Sequence, residues 1–426
     1  MSLSLCLLAI LLVPFAIAGL ALMHQGLGRA RSAAHAMLAT LAALGVAAIA
    51  FVLVGSSWAG FSGGLTHSLH TGSIAWDWLG AEPFFARGIN STVLTNPYPA
   101  LVLCLQVFTV ALAVLIPLSA GNDRWTLKGI CVSTALLAGF LYPLFSHWVW
   151  GGGWLAKLPT VFGLPAFVDS GGAGVVQVVG GLAALSVAWI LGPRQGKYSE
   201  GTATAIPGHN VVLVLFGCLL ALVGWIGLDA AASSLFYGAS AGQIVLVVIN
   251  AVLSASAGCL AALVTTQIRY RKPDASLSAN GWIAGLVAGS AACGLVTPVE
   301  AVLIGLVAGG LVTFCVETLE IRLLVDDPIG AIAIHAGAGL WGLIAVGLLA
   351  PSTGSRAALL LSQLIGIATL IGIMLPLIHM GNLLLNRFVP FRVDMDGDWQ
   401  GMDVRELGAG AYPEFVMHAD EFVPRS

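Results

Sequence analysis

Four ionisable side chains lie inside long apolar runs of this chain: Asp169, Asp229, His335 and His379. Gln106 and Gln177 are polar neutral residues in the same setting. Removing such groups from water is costly, so each is a candidate for function. His335 can accept or donate a hydrogen bond and can carry a proton near neutrality. Alternatively, it is a packed histidine bonded to a backbone carbonyl. Asp169 precedes Ser170-Gly171-Gly172, which reads as a helix start. A carboxylate there accepts the free N–H groups of the first turn and complements the helix dipole. It can also stabilise a bound cation through its field. Asp327 reads as a cap at a helix edge together with Asp326. Trp148, Trp150 and Trp154 flank His147 in the stretch HWVWGGGW. Tryptophans of this kind anchor at membrane interfaces or hold a small cation on a ring face.

Two of these positions belong to an internal repeat. Asp169 stands eight residues before Gln177, and Asp327 stands eight residues before His335. Gly172/Gly330, Ala173/Ala331, Gly181/Gly339, Leu182/Leu340 and Leu185/Leu343 coincide in the same alignment. Gln177 and His335 therefore hold equivalent places and are expected to project into one central path.

The elements that must carry them are membrane helices. Hydrophobic residues make up 58% of the 426, and only 9% are charged. Soluble proteins carry about 25% charge, so a water-facing surface cannot be built from this chain. A hydrocarbon core needs about 20 mostly apolar residues per span. Runs that meet this lie near 3–25, 33–54, 98–119, 127–149, 170–192, 208–228, 241–267, 277–295, 299–320, 329–350 and 357–386, so the sequence predicts eleven transmembrane helices. Leu3 to Pro14 could form the apolar core of a cleavable signal, with Ala16-Ile17-Ala18 as its cleavage site, but no Lys or Arg precedes it and the apolar run continues to Leu22, so it reads as a membrane helix.

With the N-terminus outside, fourteen Lys and Arg fall on inside segments and three (Arg87, Lys157, Arg356) outside, which places the C-terminus inside. Repeat helices five spans apart then enter from opposite sides. The fold class is an all-α integral membrane protein, with two inverted five-helix repeats plus a last helix, and inverted repeats place a substrate path at their interface. Residues 1–387 form the transmembrane domain, and 388–426 a cytoplasmic tail.

The net charge of −3 and the lack of a basic patch argue against nucleic-acid binding. The seven cysteines sit in apolar stretches without CxxC spacing and read as small buried hydrophobes. Nothing points to an enzyme, a cofactor or a metal centre.

The chain resembles the ammonium transporter (Amt/Mep/Rh) family. PFAIAGLALMHQGLGRARSAAHAML (14–38), HWVWGGG (147–153), DSGGAGVVQ (169–177), PGHN (207–210), GWIGLDAA (224–231), VDDPIGAIAIHAGAG (325–339) and GMDVRELGAGAY (401–412) occur in family order. The resemblance implies a homotrimer in the inner or plasma membrane. Each subunit would hold one pore, with an outer cation site, a phenylalanine gate and two facing histidines. Trp150 matches the outer-site tryptophan, Asp169 the acid beneath it, His335 the second pore histidine and Gln106 a glutamine of the third helix. Other positions depart. Gln177 stands where the first pore histidine belongs, Thr109 where a gate phenylalanine is usual, and Leu105 at its companion. Leu228 replaces a pore-lining phenylalanine, Asp229 an asparagine, and Ala232 an outer-site serine.

The family implies that ammonium loses its proton at the mouth, that ammonia crosses, and that a proton travels separately over the paired histidines. Some fungal members carry a glutamate at the first histidine position and still transport. A glutamine cannot titrate. It can hold the hydrogen bond to His335 but not a relay that needs both groups protonated. Three readings follow: altered proton coupling, passage of neutral ammonia, or a transport-poor sensor of ammonium. The tail resembles a regulatory segment, and a PII-type signalling protein is the partner the resemblance implies. With no kinase or cyclase domain in the chain, a sensor is expected to signal through a separate partner.

Overall fold

The computed structural model describes residues 2–412 apart from 61–65, 73 and 353. Arg425 and the end of the tail lie outside the described residues. Among those described, ten helices are long and apolar enough to cross a membrane. They are α1 Leu3–Leu27, α2 Ala30–Ala59, α3 Tyr98–Ala120, α4 Leu127–Val149, α5 Ala173–Leu191, α6 Val211–Tyr237, α7 Ala241–Tyr270, α9 Pro298–Arg322, α10 Ile332–Leu349 and α11 Arg356–Phe388.

The run expected at 277–295 forms a shorter helix, α8, Ala275–Ser290, of 16 residues. At about 1.5 Å per residue it is about 24 Å long, less than the roughly 30 Å hydrocarbon thickness. The reason is its position. α8 is wrapped by α7 and α9 and is buried along most of its length from Ser278 to Ser290. A helix enclosed by protein need not match the lipid. It packs closely because a Cβ on Gly281 would lie 2.5 Å from the Gly258 carbonyl oxygen of α7. Small-residue faces of this kind let membrane helices approach.

Local sequence starts the helices. Asn210 accepts the Leu213 N–H at 3.1 Å at the head of α6, and Asp274 accepts that of Leu277 at 2.8 Å at the head of α8. Thr297 and Glu300 form a reciprocal capping box at α9, with Pro298 in the first turn. The α1 helix lies along α6 over a long interface, with Gly224 set against the Ala16 backbone. Large apolar side chains such as Leu41 (65% exposed) and Val212 (71%) cover the outside, as a lipid-facing surface requires.

One end of the bundle is an ion-pair lattice. Arg194 contacts Asp326 at 2.9 Å and Asp123 at 3.1 Å, while Arg29 contacts Asp123 at 3.0 Å and Asp398 at 2.9 Å. Asp326 therefore serves two arginines, Arg124 and Arg194, and does not cap a helix with Asp327 as the sequence suggested. The tail enters this lattice through a short helix, α12 (Met395–Gln400), that carries Asp398. Asp403 accepts the backbone N–H of His35 at 2.8 Å, and Glu406 that of Leu127 at 2.8 Å, so tail acids cap α2 and α4. At the opposite end, strands β1 (Thr66–Thr71) and β2 (Ile74–Gly80) form an antiparallel hairpin, and its Asp77 pairs with Lys157.

Candidate functional site

Gln177 and His335 meet in the interior. His335 Nδ1–H donates to Gln177 Oε1 at 2.8 Å, and both side chains are buried. The two residues are 158 positions apart, the same offset as Asp169 to Asp327 and Gly172 to Gly330. Each sits in a π-helical stretch that opens its helix, Ala173–Val178 in α5 and Ile332–Gly337 in α10. Gly172 (φ +90°) and Gly330 (φ +81°) turn the chain into these stretches through a backbone conformation that a Cβ disfavours. The helices can cross here because the repeat glycines carry no side chain. A Cβ on Gly181 would lie 2.4 Å from Ala336 N, and one on Gly339 2.6 Å from Val178 Cγ2.

With Oε1 occupied, Gln177 Nε2 is left buried and without a partner. His335 donates through Nδ1, so in the neutral ring Nε2 carries the lone pair. The pair therefore offers the two N–H groups of the amide and one free ring acceptor.

Above it, Trp150 donates from Nε1 to the Asp169 carbonyl at 3.0 Å. Its ring stacks on Phe236 at 4.5 Å and 9°, directly over Gly172. Asp169 Oδ2 accepts the N–H groups of Gly174 and Val175, each at 2.8 Å, while Oδ1 is buried without a partner. Burial pushes this carboxyl up to about 6, against the pull of the Val175 and Gly174 N–H groups. At the other end Asp327 Oδ2 accepts the Ile332 N–H at 2.7 Å, and again Oδ1 has no partner. Burial likewise raises Asp327 to about 6.

A sequence profile of the Ammonium Transporter Family matches residues 4–412. The chain belongs to the ammonium transporter family. It is 32% identical to ammonium transporter Amt2 of Archaeoglobus fulgidus over 95% of this chain and 86% of that protein. A solved structure described as a sensor Amt protein superposes with a TM-score of 0.84 at 27% identity, covering 94% of this chain and 96% of the other. Mep2 of Candida albicans gives 0.77 at 25% identity, over 91% and 85%. With ten apolar spans and this family, the protein is a multi-pass integral membrane protein.

In this ammonium transporter family member, the other positions singled out in the sequence fall in three places. Thr109 Oγ1 lies 2.6 Å from the Tyr142 hydroxyl and donates to the Gln106 carbonyl at 3.0 Å. Gln106 Nε2 reaches Ser146 Oγ at 3.5 Å, its Oε1 is unpartnered, and Leu105 is fully buried beside it. Leu228 and Ala232, both buried, share the α6 face that continues one turn on to Phe236. Asp229 is one residue off that face. It is buried against Gly171 and Ser290 with Oδ1 unpartnered. His379 is remote from the pair, at 3.2 Å from Ser186 Oγ and edge-on to Trp189.

Three participants escaped the sequence reading. Phe236 was reachable from the four-residue step through 228 and 232. Tyr142 carries no spacing signal. His24 of α1 is buried with Nδ1 unpartnered. It reads as one apolar-run histidine among helix-end residues. No group of three His, Cys, Asp or Glu side chains among the described residues is placed to hold a metal ion.

Proposed function

We propose that the chain moves ammonium nitrogen across the inner or plasma membrane by passing neutral ammonia over the Gln177–His335 pair. The observation that carries this is the buried, unpartnered Gln177 Nε2. Ammonia has a lone pair to accept from that amide and hydrogens to donate to the free nitrogen of His335. Ammonium has no lone pair, and the amide N–H groups face it unfavourably. Carrying the intact ion through a dry interior also costs many kcal/mol of solvation. A glutamine holds no proton at physiological pH, so a relay over both positions does not operate.

Trp150, with Phe236 and Asp169, is the outer recruiting site, where the ring face attracts a cation. Leu228 and Ala232 wall the approach. Leu105, Gln106 and Thr109, with Tyr142, line its neighbouring side. The topology is eleven helices with α8 counted as a protein-enclosed span, the N-terminus outside and the C-terminus inside. Support comes from the shared lattice of Arg29, Arg124, Arg194 and Arg392 at one end and Lys157 at the other. The assembly is a homotrimer. Residues 1–387 form the conducting domain, 388–426 the regulatory tail, and a PII-type protein is the regulatory partner.

A second reading has its own support in the 0.84 match to a sensor Amt protein: the chain binds ammonium and signals through a partner. An ammonium pulse to proteoliposomes separates the two. Conduction of ammonia raises internal pH with little current, and Gln177→His adds current. Current that scales with flux in the native protein, with no gain in the Gln177→His variant, defeats the neutral-passage account. Binding with neither flux nor current establishes the sensor.

A further inference from the structure

The tail meets two loops across an open cavity of about 470 Å³. Arg29 and Arg31 line it at the head of α2, Gln195, Gly196 and Ile206 between α5 and α6, and Trp399 on α12 of the tail. The size suits a small molecule, whose sites run to about 300–1,000 Å³. Two arginines line the cavity and no carboxylate does.

Arg31 is the uncommitted charge. Arg29, Arg124, Arg194 and Arg392 already share the carboxylates of Asp123, Asp326 and Asp398. Asp403 is spent on the N–H groups of Ala34 and His35, and Glu406 on that of Leu127. Arg31 reaches only the Asp398 carbonyl, 3.2 Å from Nη2, and forms no ion pair among the described residues. Gln195 bonds to Asp398 through its backbone N–H, which leaves its side-chain amide free. The Trp399 side chain on the same cavity is 57% exposed. A guanidinium without a carboxylate and an open indole therefore line one space.

We propose that this cavity binds a nucleotide, with phosphate oxygens on Arg31 and Gln195 and the base on the Trp399 ring. A guanidinium matches phosphate with a two-pronged fork of donors, and an aromatic ring stacks on a base of any kind. A phospholipid headgroup shares the phosphate but brings acyl chains, and Ala30 and Ile206 are the only aliphatic residues of the lining. A bound nucleotide ties the tail helix α12 to both loops. The site goes beyond the transport reading: its place on the inner face rests on the topology proposed above, and its binding does not.

ADP titrated onto the purified full chain in detergent, read by calorimetry, tests this. Saturable binding is expected. Arg31→Gln should weaken it about tenfold, and Trp399→Leu about fivefold or more. Trp399→Phe keeps a ring and should restore most of the affinity. Inorganic pyrophosphate should compete with ADP on the native protein and bind Trp399→Leu with native affinity, since it has no base to stack. Amide exchange over Met395–Gln400 should slow when ADP is added. No binding at millimolar ADP, native affinity in either Arg31→Gln or Trp399→Leu, or displacement of ADP by phosphatidylglycerol micelles overturns the site. Binding without slowed exchange overturns the tie to the tail.

Discussion

Trp150 is held from two sides, by the ring of Phe236 and by the carbonyl of Asp169. In the proposed outer site, the ring face turned away from Phe236 is the one that meets the cation. Trp150→Leu removes the ring but keeps apolar bulk, so the fold should survive. A ring–cation attraction is worth about 0.5–2 kcal/mol, which corresponds to a weakening of about 2- to 30-fold. We expect the outer-face half-saturation to rise within that range, with the maximal rate much less affected, as read by initial flux against concentration. At this scale the sequence was informative where a side chain is chemically out of place. Gln177, His335 and Asp169 stood out because polar groups in apolar runs are expensive, and Trp150 because it lies in the aromatic stretch HWVWGGGW. Phe236 and Tyr142 did not stand out, because an aromatic in an apolar helix is ordinary until its neighbour is known.

The pairing of α5 with α10 rests on Gly181 and Gly339, which the repeat alignment had already matched. Gly181→Ala sets a Cβ against Ala336 N, a backbone atom that cannot rotate away. Overpacking of this kind costs about 1–3 kcal/mol, and it should also part Gln177 from His335. The expected result is a lower unfolding temperature in detergent together with reduced flux. Gly45→Ala, where nothing lies within 4 Å, is the control and should change neither. The spans themselves were legible because apolar length is a direct physical demand of the bilayer. α8 was overread in length, since a run that ends in turn residues still looks apolar. The segment between α2 and α3 resisted reading because its hairpin alternation is short and its pairing with Lys157 depends on the fold.

At the scale of the whole molecule, the buried lattice of Arg29, Asp123, Arg124, Arg194, Asp326 and Asp398 ties five chain segments, the tail among them. Burial alone would raise Asp326, but Arg124 and Arg194 outweigh it and hold the carboxyl at about 2. An unfolded aspartate titrates near about 3.9. A depressed folded value means the contribution is complete above about pH 4 and is lost as pH falls towards about 2. Asp326→Asn should therefore destabilise the protein at pH 7 by about 3–5 kcal/mol, since buried Arg124 loses its carboxylate and Arg194 keeps only Asp123. The gap from the native protein should narrow between about pH 4 and pH 2. Denaturation in detergent across that range checks it, and a gap constant with pH would show the pair to be uncoupled from stability.

The π-helical stretches at Gln177 and His335 have a further consequence. Each holds one residue more than an α-helical turn would, so everything beyond it is out of phase with everything before. Deleting a single position from 173–178 would let the turn relax to ordinary geometry while swinging the preceding segment by about 100°. The Asp169 cap and the Gln177 amide could then no longer share one axis. The surplus residue acts as a spacer that aims two side chains at once, and it ties insertions or losses in either stretch to compensation within the same turn.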